Sequence, residues 1–393
     1  MLSSDMITAI NLDTANATGM PNKAYTDADF LLAERERVFA PNWACLAFES
    51  SMPQPGHAKP FNFIGLPLMA ARDDDGELRI FHNVCSHRGQ ILVHGECRMR
   101  GGLKCPYHAW NYAPNGELRG TPHIGGTGVH EIAQFDRSKH GLKRVRSAIW
   151  MGMVFVNLSG TAEAFDDYIA PLKARWEAFC GDGELAKVGA ITRCEPQCMT
   201  LDTNWKLAVE NFCESYHLPW VHPELNRVSR LSDHYNITLN HNFAGQGSNA
   251  YTRSGETDSQ LPAFTNWPVE KIKQAEYIAF YPNLLLGIHA DHAFAMIVEP
   301  LAHNRSAEYW QLFYIDESAT SDHLSDTHES LLGFWRDVFA EDIDAVEGMQ
   351  RGRSSPGFGG GAFSAVMDVP THHFHRWVAN CFTDNAAQER SLS

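Results

Sequence analysis

Residues 85–108 read CSHRGQILVHGECRMRGGLKCPYH, and this stretch decides the fold of the domain around it. It contains two short pairs in which a cysteine lies close to a histidine, Cys85 with His87 and Cys105 with His108. Each residue alone is compatible with a buried thiol or a hydrogen-bonded histidine, whereas two spaced pairs indicate a metal centre with two sulfur and two nitrogen ligands. Zinc is the alternative metal, although zinc fingers usually pair cysteine with cysteine and histidine with histidine.

The spacing Cys-x-His followed by Cys-x-x-His resembles the Rieske iron–sulfur motif. The resemblance implies that Cys85 and Cys105 hold one iron of a [2Fe-2S] cluster and that His87 and His108 hold the other. Neutral imidazoles then replace anionic thiolates, which raises the reduction potential of the cluster. Cys97 lies between the two pairs, and we interpret it as a packed thiol.

The sequence around this motif predicts a small all-β unit. Short runs rich in β-branched and aromatic residues, at 61–63, 79–84 and 148–156, alternate with glycine-containing turns. Longer helical patterns precede and follow them, and strand-like runs occur at 277–280, 293–298 and 308–315. We therefore expect an α+β protein with a Rieske domain at 43–157. Residues 1–42 and 158–393 would form a catalytic domain in which helices pack on an antiparallel sheet in a helix-grip-like arrangement.

A second group of metal-ligating residue types, Glu214, His217 and His222, lies in the second half of the chain. The pattern at 203–218 predicts one amphipathic helix whose wet face would carry Leu207, Glu210, Asn211, Glu214 and His217. Taken alone, that pattern is typical of an ordinary surface helix. Pro219 would end or kink this helix, so His222 would meet His217 across the bend.

The sequence Glu214-x-x-His217-x4-His222 resembles the mononuclear-iron motif of the Rieske non-haem iron, aromatic-ring-hydroxylating oxygenases, in their alpha (oxygenase) subunit. The resemblance implies that His217 and His222 supply two corners of a 2-His-1-carboxylate iron site. Most members carry aspartate where this chain has Glu214, and glutamate is also found there in the quaternary-ammonium oxygenases, which this chain resembles. In the family this residue bridges two subunits of a trimer, so Glu214 would join His217 to His108 of a neighbouring chain.

The third iron ligand is expected on a helix at 329–350. Its apolar residues, Leu331, Trp335, Val338, Phe339, Val346 and Met349, predict one buried stripe. Asp342 falls near the centre of that stripe, whereas Asp344, Glu341 and Glu347 fall away from it. A carboxylate on a core-facing stripe is costly unless it is paired or bound to metal, so we assign Asp342 as the ligand. The family takes its carboxylate ligand from a similar late helix.

The resemblance implies a terminal oxygenase component that uses dioxygen and NAD(P)H-derived electrons to hydroxylate a small substrate. The electrons would arrive through a separate flavin and iron–sulfur reductase or a ferredoxin, because the chain has no glycine-rich dinucleotide fingerprint of its own. A carnitine-, glycine betaine-, choline- or proline betaine-type substrate is favoured, and the candidate aromatic contacts for its cation are Trp220, Tyr216, Phe358 and Phe363. The alternatives are hydroxylation of an aromatic ring or aromatic acid, a Rieske electron carrier without oxygenase activity, and a zinc-dependent interaction protein.

Composition and charge bear on nucleic-acid binding, membrane insertion and cellular location. The 393 residues carry a formal net charge of −15, which disfavours nucleic-acid binding. The sequence shows no apolar run long enough for a membrane helix and no signal-peptide pattern, and its nine cysteines show no disulfide framework, so we expect a cytoplasmic protein. We assign no metal role to five further histidines and expect them at the surface or behind the ligands: His289, His292, His372, His373 and His375.

Overall fold

The computed structural model of the chain describes residues 1–188, 191–251 and 261–383. Contacts divide the chain into two compact units. The smaller unit comprises Leu46–Ile149 and Val154–Gly160. The larger unit comprises Met1–Cys45, Trp150–Met153 and Thr161–Ser393. Residues 189–190, 252–260 and 384–393 of this range lie outside the described residues. Among the described helices, none is both long and apolar enough to span a bilayer.

The smaller unit is built from short antiparallel strands. A seven-stranded sheet has the order β1-β10-β9-β4-β3-β2-β5, and a three-stranded sheet has the order β6-β7-β8. The strands are β1 Ala44–Phe48, β2 His57–Phe63, β3 Leu66–Arg72, β4 Leu78–His82, β5 Cys97–Arg98, β6 Leu103–Lys104, β7 Asn111–Tyr112, β8 Leu118–Gly120, β9 Arg144–Trp150 and β10 Met153–Asn157. Met69, Phe81, Trp110 and Tyr112 form a buried core together with the thiols of Cys85 and Cys105. The cysteine pairs are therefore anchored in packed structure.

The larger unit contains a seven-stranded antiparallel sheet in the order β11-β17-β16-β15-β14-β13-β12. Its strands are β11 Gln197–Leu201, β12 His234–Thr238, β13 Phe243–Ser248, β14 Ala275–Phe280, β15 Leu284–Ile288, β16 His292–Ala302 and β17 Arg305–Tyr314. One face of the sheet packs on helices, as shown by the ring of Trp310 on β17, which lies 5.2 Å from that of Phe339. This sheet and the all-β unit confirm the predicted α+β class.

The described α-helices lie in the larger unit. They are α1 Ser4–Ile10, α2 Lys23–Thr26, α3 Ala28–Glu34, α4 Phe165–Cys180, α5 Glu184–Val188, α6 Trp205–Cys213, α7 Leu218–Val221, α8 Pro223–Val228, α9 Ser325–Glu341, α10 Ile343–Gly352 and α11 Val369–Asn380. A single turn of π-helix, Arg35–Phe39, continues α3. The expected continuous strand at 148–156 is instead a hairpin formed by β9 and β10.

The helix expected at 203–218 ends early, at Cys213. Glu214 is extended (φ −124°, ψ 163°), and its carboxylate accepts hydrogen bonds from the backbone N–H groups of Tyr216 and His217, which replace helical partners. The predicted wet face was wrong as well, because Leu207 and Glu210 are buried. Pro219 occupies the first turn of the short helix α7, where its missing N–H costs nothing.

The helix expected at 329–350 is two helices that meet at Asp342. The stripe prediction holds within α9, where Leu331, Trp335 and Phe339 are buried, and it extends to Val346. It fails at Met349, whose side chain is 38% exposed. The junction changes the phase of the helical repeat, so positions on α10 cannot be extrapolated from α9.

Candidate functional site

The two cysteine–histidine pairs of the smaller unit converge. The imidazole rings of His87 and His108 lie 4.6 Å apart, and His87 also stacks on Trp110 at 4.7 Å. The thiols of Cys85 and Cys105 are buried, whereas His87 is exposed and His108 is half-buried. The site therefore has two sulfur atoms on its inner side and two imidazoles towards its surface.

Tyr112 contacts the loop that carries Cys85 and His87. Its hydroxyl lies 3.1 Å from the Sγ atom of Cys85 and accepts a hydrogen bond from the backbone N–H of Ser86. Gly102 (φ +110°) allows the neighbouring turn to approach β7, because a Cβ atom there would lie 2.4 Å from the carbonyl oxygen of Tyr112. These contacts fix the position of the loop by hydrogen bonding and close packing.

The donor set of this site fits an iron–sulfur cluster with mixed ligands. The Nδ1 atom of His108 is buried and has no hydrogen-bond partner among the described residues, which is unusual for a nitrogen of a structural histidine. Both sulfur atoms are free of disulfides. Cys97 does not contribute to the site and is exposed, so its assignment as a packed thiol was wrong.

In the larger unit, the structure brings His217, His222 and Asp342 together. One ligand-type atom from each lies within 4.8 Å of the others. The Oδ1 atom of Asp342 is 2.9 Å from the Nε2 atom of His222 and 3.7 Å from the Nε2 atom of His217. Two imidazole nitrogens and one carboxylate oxygen on one side of a common point form the donor set of a 2-His-1-carboxylate iron site.

Each of these three side chains is oriented by a further polar group. The Nδ1 atom of His217 is 2.7 Å from the Oε1 atom of Glu214, and the Nδ1 atom of His222 is 2.8 Å from the Oε2 atom of Glu341. The amide of Asn211 donates to the Oδ1 atom of Asp342 at 2.7 Å. Such carboxylate–histidine pairs fix the ring and its tautomer, which leaves the other ring nitrogen free for a metal.

The electrostatics of His222 reflect its two acidic neighbours. Burial alone would lower its pKa, but hydrogen bonds and charge from Asp342 and Glu341 outweigh burial and raise the pKa. Negative charge is therefore concentrated around this imidazole, which favours a cation at the site. The helical phase places Glu341 off the core-facing stripe, so the pattern does not predict its contact with His222. Its position directly before Asp342 was the only available signal.

A pocket opens beside the triad. Its polar lining includes the three ligand-type residues together with Ser229, His234 and Gln246. Its apolar lining is largely aromatic and comes from distant parts of the chain: Phe212, Tyr277, Phe294, Trp335 and Phe339. The rings of Phe294 and Trp335 lie 4.6 Å apart, so this aromatic wall is continuous.

The aromatic residues proposed from the sequence do not line this pocket. Trp220 is 74% exposed, and Tyr216 and Phe358 are also exposed. Phe363 instead packs beside His372 and His375. The sequence-based choice was wrong because closeness to the histidine motif along the chain does not indicate the direction of a side chain.

The remaining histidines were expected at the surface or behind the ligands, and the surface alternative fails for four of them, because His289, His292, His372 and His375 are buried. His289 stacks on His292 with ring centroids 4.3 Å apart, and burial followed by the neighbouring His292 holds its pKa well below the usual range. The Nε2 atom of His292 accepts a hydrogen bond from the indole N–H of Trp335 at 2.9 Å. This bond fixes one aromatic wall of the pocket.

The sequence and fold have clear relatives. Residues 185–384 match the family of the ring hydroxylating alpha subunit (catalytic domain), and residues 42–136 match the Rieske [2Fe-2S] domain. The chain is 28% identical over 399 residues to the carnitine monooxygenase oxygenase subunit of Escherichia coli K12, covering 98% of this chain and 99% of that protein.

The chain is also similar to a plant enzyme and to a solved structure. The chain is 25% identical over 373 residues to the chloroplastic choline monooxygenase of Atriplex hortensis, covering 91% of this chain and 76% of that protein. The solved structure of a quaternary ammonium Rieske monooxygenase superposes with a TM-score of 0.76 at 23% identity, covering 97% of this chain and 99% of the other. The family matches and the sequence relatives confirm the resemblance carried by the two motifs, and the solved structure shows the same fold.

Proposed function

This chain belongs to the ring-hydroxylating oxygenase alpha-subunit family, and from that premise we propose that it is the terminal component of a multicomponent system that hydroxylates a quaternary ammonium compound. The observation that carries the proposal is the juxtaposition of the His217, His222 and Asp342 donor set with an aromatic-lined pocket. Electrons would come from NAD(P)H through a separate flavin and iron–sulfur reductase or a ferredoxin.

We assign Cys85, His87, Cys105 and His108 to the [2Fe-2S] cluster and His217, His222 and Asp342 to the mononuclear iron. When bound, the cluster supplies single electrons and the iron supplies the activation of dioxygen. The protein's own contribution is orientation. Glu214 and Glu341 hold the two imidazoles, and Asn211 holds the carboxylate.

Aromatic faces support the choice of substrate class. A quaternary ammonium group has no N–H to donate, so it is recognised by π-systems and by negative charge. Tyr277, Phe294 and Trp335 offer such faces in the pocket beside the triad. Relatives named as carnitine and choline monooxygenases support the same class. Hydroxylation of an N-methyl group would give a hemiaminal that releases formaldehyde, whereas hydroxylation at a carbon atom not bonded to nitrogen would retain the ammonium group.

A substrate panel tests this proposal. The iron-loaded protein with a competent reductase and NADH is expected to consume dioxygen with carnitine, γ-butyrobetaine, glycine betaine or choline, and to release formaldehyde or a hydroxylated product. The same assay should include benzoate and naphthalene as aromatic substrates. Turnover of the aromatic compounds alone would reject the ammonium proposal and favour ring hydroxylation.

We further propose that the chain forms a homotrimer in which Glu214 connects His217 to His108 of a neighbouring chain. Two observations support this role. The carboxylate of Glu214 already contacts His217 at 2.7 Å, and the imidazoles of His87 and His108 lie towards the surface of the smaller unit.

We also propose a cytoplasmic location, because all nine cysteines are free of disulfides and disulfides are rare in reducing compartments.

Glu214→Ala is expected to lower turnover roughly 10- to 100-fold, as loss of a carboxylate behind a metal-bound histidine usually does. The cluster spectrum and at least part of the mononuclear iron should remain. Glu214→Asp restores a carboxylate and should recover most of the activity. Glu224→Gln, which alters an exposed ion pair with Arg227, is the matched control. Wild-type turnover in Glu214→Ala would reject the proposed bridge.

A further inference from the structure

Glu308 is a buried acid that the proposed mechanism does not use. It lies on β17, and only 6% of its surface is exposed. Alternation along the strand places it on the same sheet face as Trp310, which packs against Phe339 of α9. Burial, followed by the negative charge of Asp342, raises the pKa of Glu308 to about 8.

Glu308 differs from every other buried carboxylate in the described ranges. Glu34 binds Lys206, Glu210 accepts from Tyr25, and Glu276 forms a two-pronged ion pair with Arg175. The Glu308 carboxyl, by contrast, makes no hydrogen bond or ion pair with any described residue. A buried polar group without a partner costs free energy of folding. An unpaired carboxyl in a core therefore requires an explanation, and a functional role is one.

The surroundings of Glu308 indicate what that reason is. Its side chain lines a small cavity whose walls are mostly apolar and include Leu285 and Met296. This cavity shares Asn211, Phe212, Phe339 and Asp342 with the pocket beside the triad, so the two are adjacent. Asp342 is the other acid on these walls, and it is engaged by Asn211 and His222.

Burying a quaternary ammonium group also costs free energy. It cannot lose its charge, and moving it from water into an apolar pocket is costly unless an anion lies nearby. Asp342 is already assigned to the iron, and Glu214 and Glu341 hold the two imidazoles, so all three carboxylates at the triad are engaged. Glu308 lines the adjacent cavity without a partner, and a neighbouring cation favours the ionised form of its carboxyl, so the two charges together offset the cost of burying either one alone.

We propose that Glu308 is the counter-ion that recognises the cationic group of the substrate, an inference that rests on the proposed oxidation of quaternary ammonium compounds. Glu308 thereby sets the specificity of the pocket for cations over neutral groups of the same shape. It is a substrate-binding residue and takes no part in holding either metal centre.

Paired cationic and neutral probes test this role. Choline is matched by 3,3-dimethylbutan-1-ol, and γ-butyrobetaine by 5,5-dimethylhexanoate, because in each case a carbon atom replaces the charged nitrogen. The words cationic and neutral refer to that end of the probe only, since both members of the second pair keep their carboxylate. Affinities are measured by anaerobic calorimetry on the holoenzyme. Glu308→Gln is expected to weaken binding of the cationic probes roughly 30-fold or more, and binding of the neutral probes about threefold or less.

Two further variants make the test decisive. Glu308→Leu removes an unpaired buried carboxyl, so it should raise the unfolding temperature while abolishing the preference for cations. Glu299→Gln is the control, because Glu299 lies on the neighbouring strand β16, opposite Ala307 in register, and also has a pKa raised by burial, to about 7. It should bind every probe as the wild type does.

The outcomes separate the two proposals. If wild-type protein binds cationic probes and Glu308→Gln binds them equally well, the counter-ion role is overturned and the proposed function stands. Equal weakening of cationic and neutral probes would also overturn it, because that pattern indicates packing. If the wild type binds none of the cationic probes, the proposed function fails and this inference fails with it.

Discussion

Asp342→Ala is expected to remove the mononuclear iron and to lower turnover roughly 1000-fold, equivalent to about 4 kcal/mol of activation free energy. The Oδ1 atom of Asp342 faces the Nε2 atoms of both His217 and His222 and is the only carboxylate oxygen in that three-residue group. Without it, two neutral imidazoles remain. They bind Fe(II) far more weakly than a 2-His-1-carboxylate set does.

Iron analysis and the visible spectrum measure this effect separately from activity. The iron content is expected to fall from about three to about two atoms per chain, while the absorption of the Rieske cluster is unchanged. Asp344→Ala is the matched control, because Asp344 is exposed two residues further along the same segment. Full iron content in Asp342→Ala would show that another residue is the ligand. Iron loss in Asp344→Ala would indicate a general disturbance of the helix junction.

The residues proposed to bind metal could be grouped from the sequence because their signals are local. Cys85 and His87, Cys105 and His108, and His217 and His222 each lie within one short segment, where spacing limits the possible geometry. Asp342 was reached over a longer distance by combining the phase of one helix with the cost of burying a carboxylate. The structure places it beside both histidines although its helix breaks at that very residue.

The pocket could not be predicted in the same way. Tyr277 lies on β14, Phe294 on β16 and Trp335 on α9, and only the register of the sheet and the packing of the helix bring them together. Period-2 alternation indicates which residues share a face of one strand, but not which strands become neighbours. Glu308 was missed for the same reason, because its position within an apolar strand gives no information about the cavity that it faces.

The helix at 203–218 shows a different limit. The predicted solvent-facing side included Glu210, yet Glu210 and the neighbouring Lys206 are buried because each finds an oppositely charged or hydrogen-bonding partner elsewhere in the chain. Lys206 donates to Glu34 at 2.6 Å and to Asn204 at 2.7 Å, and its ammonium lies 4.9 Å from the ring centre of Tyr25. Amphipathic periodicity cannot distinguish a wet face from such a buried ion cluster.

This cluster anchors α6, the helix that leads directly into Glu214 and His217. Both Lys206 and Glu34 are 0% exposed, and the indole N–H of Trp205 donates to the same carboxylate at 3.0 Å. Burial lowers the pKa of Lys206 and raises that of Glu34, while their mutual attraction opposes both shifts. Removing one partner therefore leaves the other as an uncompensated charge in the core.

Lys206→Met is accordingly expected to destabilise the larger unit by roughly 3–5 kcal/mol, which lowers its thermal unfolding midpoint by roughly 6–15 °C. Circular dichroism and calorimetry on the holoenzyme measure this shift. The double variant Glu34→Gln/Lys206→Met removes both charges and should recover a substantial part of the loss, because the penalty comes from the unpaired carboxylate rather than from the missing bond. Lys173→Met, in the partly exposed pair with Glu177, should change the midpoint little. A Lys206→Met midpoint equal to that of Lys173→Met would show that the buried pair contributes nothing to the stability of the helix that carries the site.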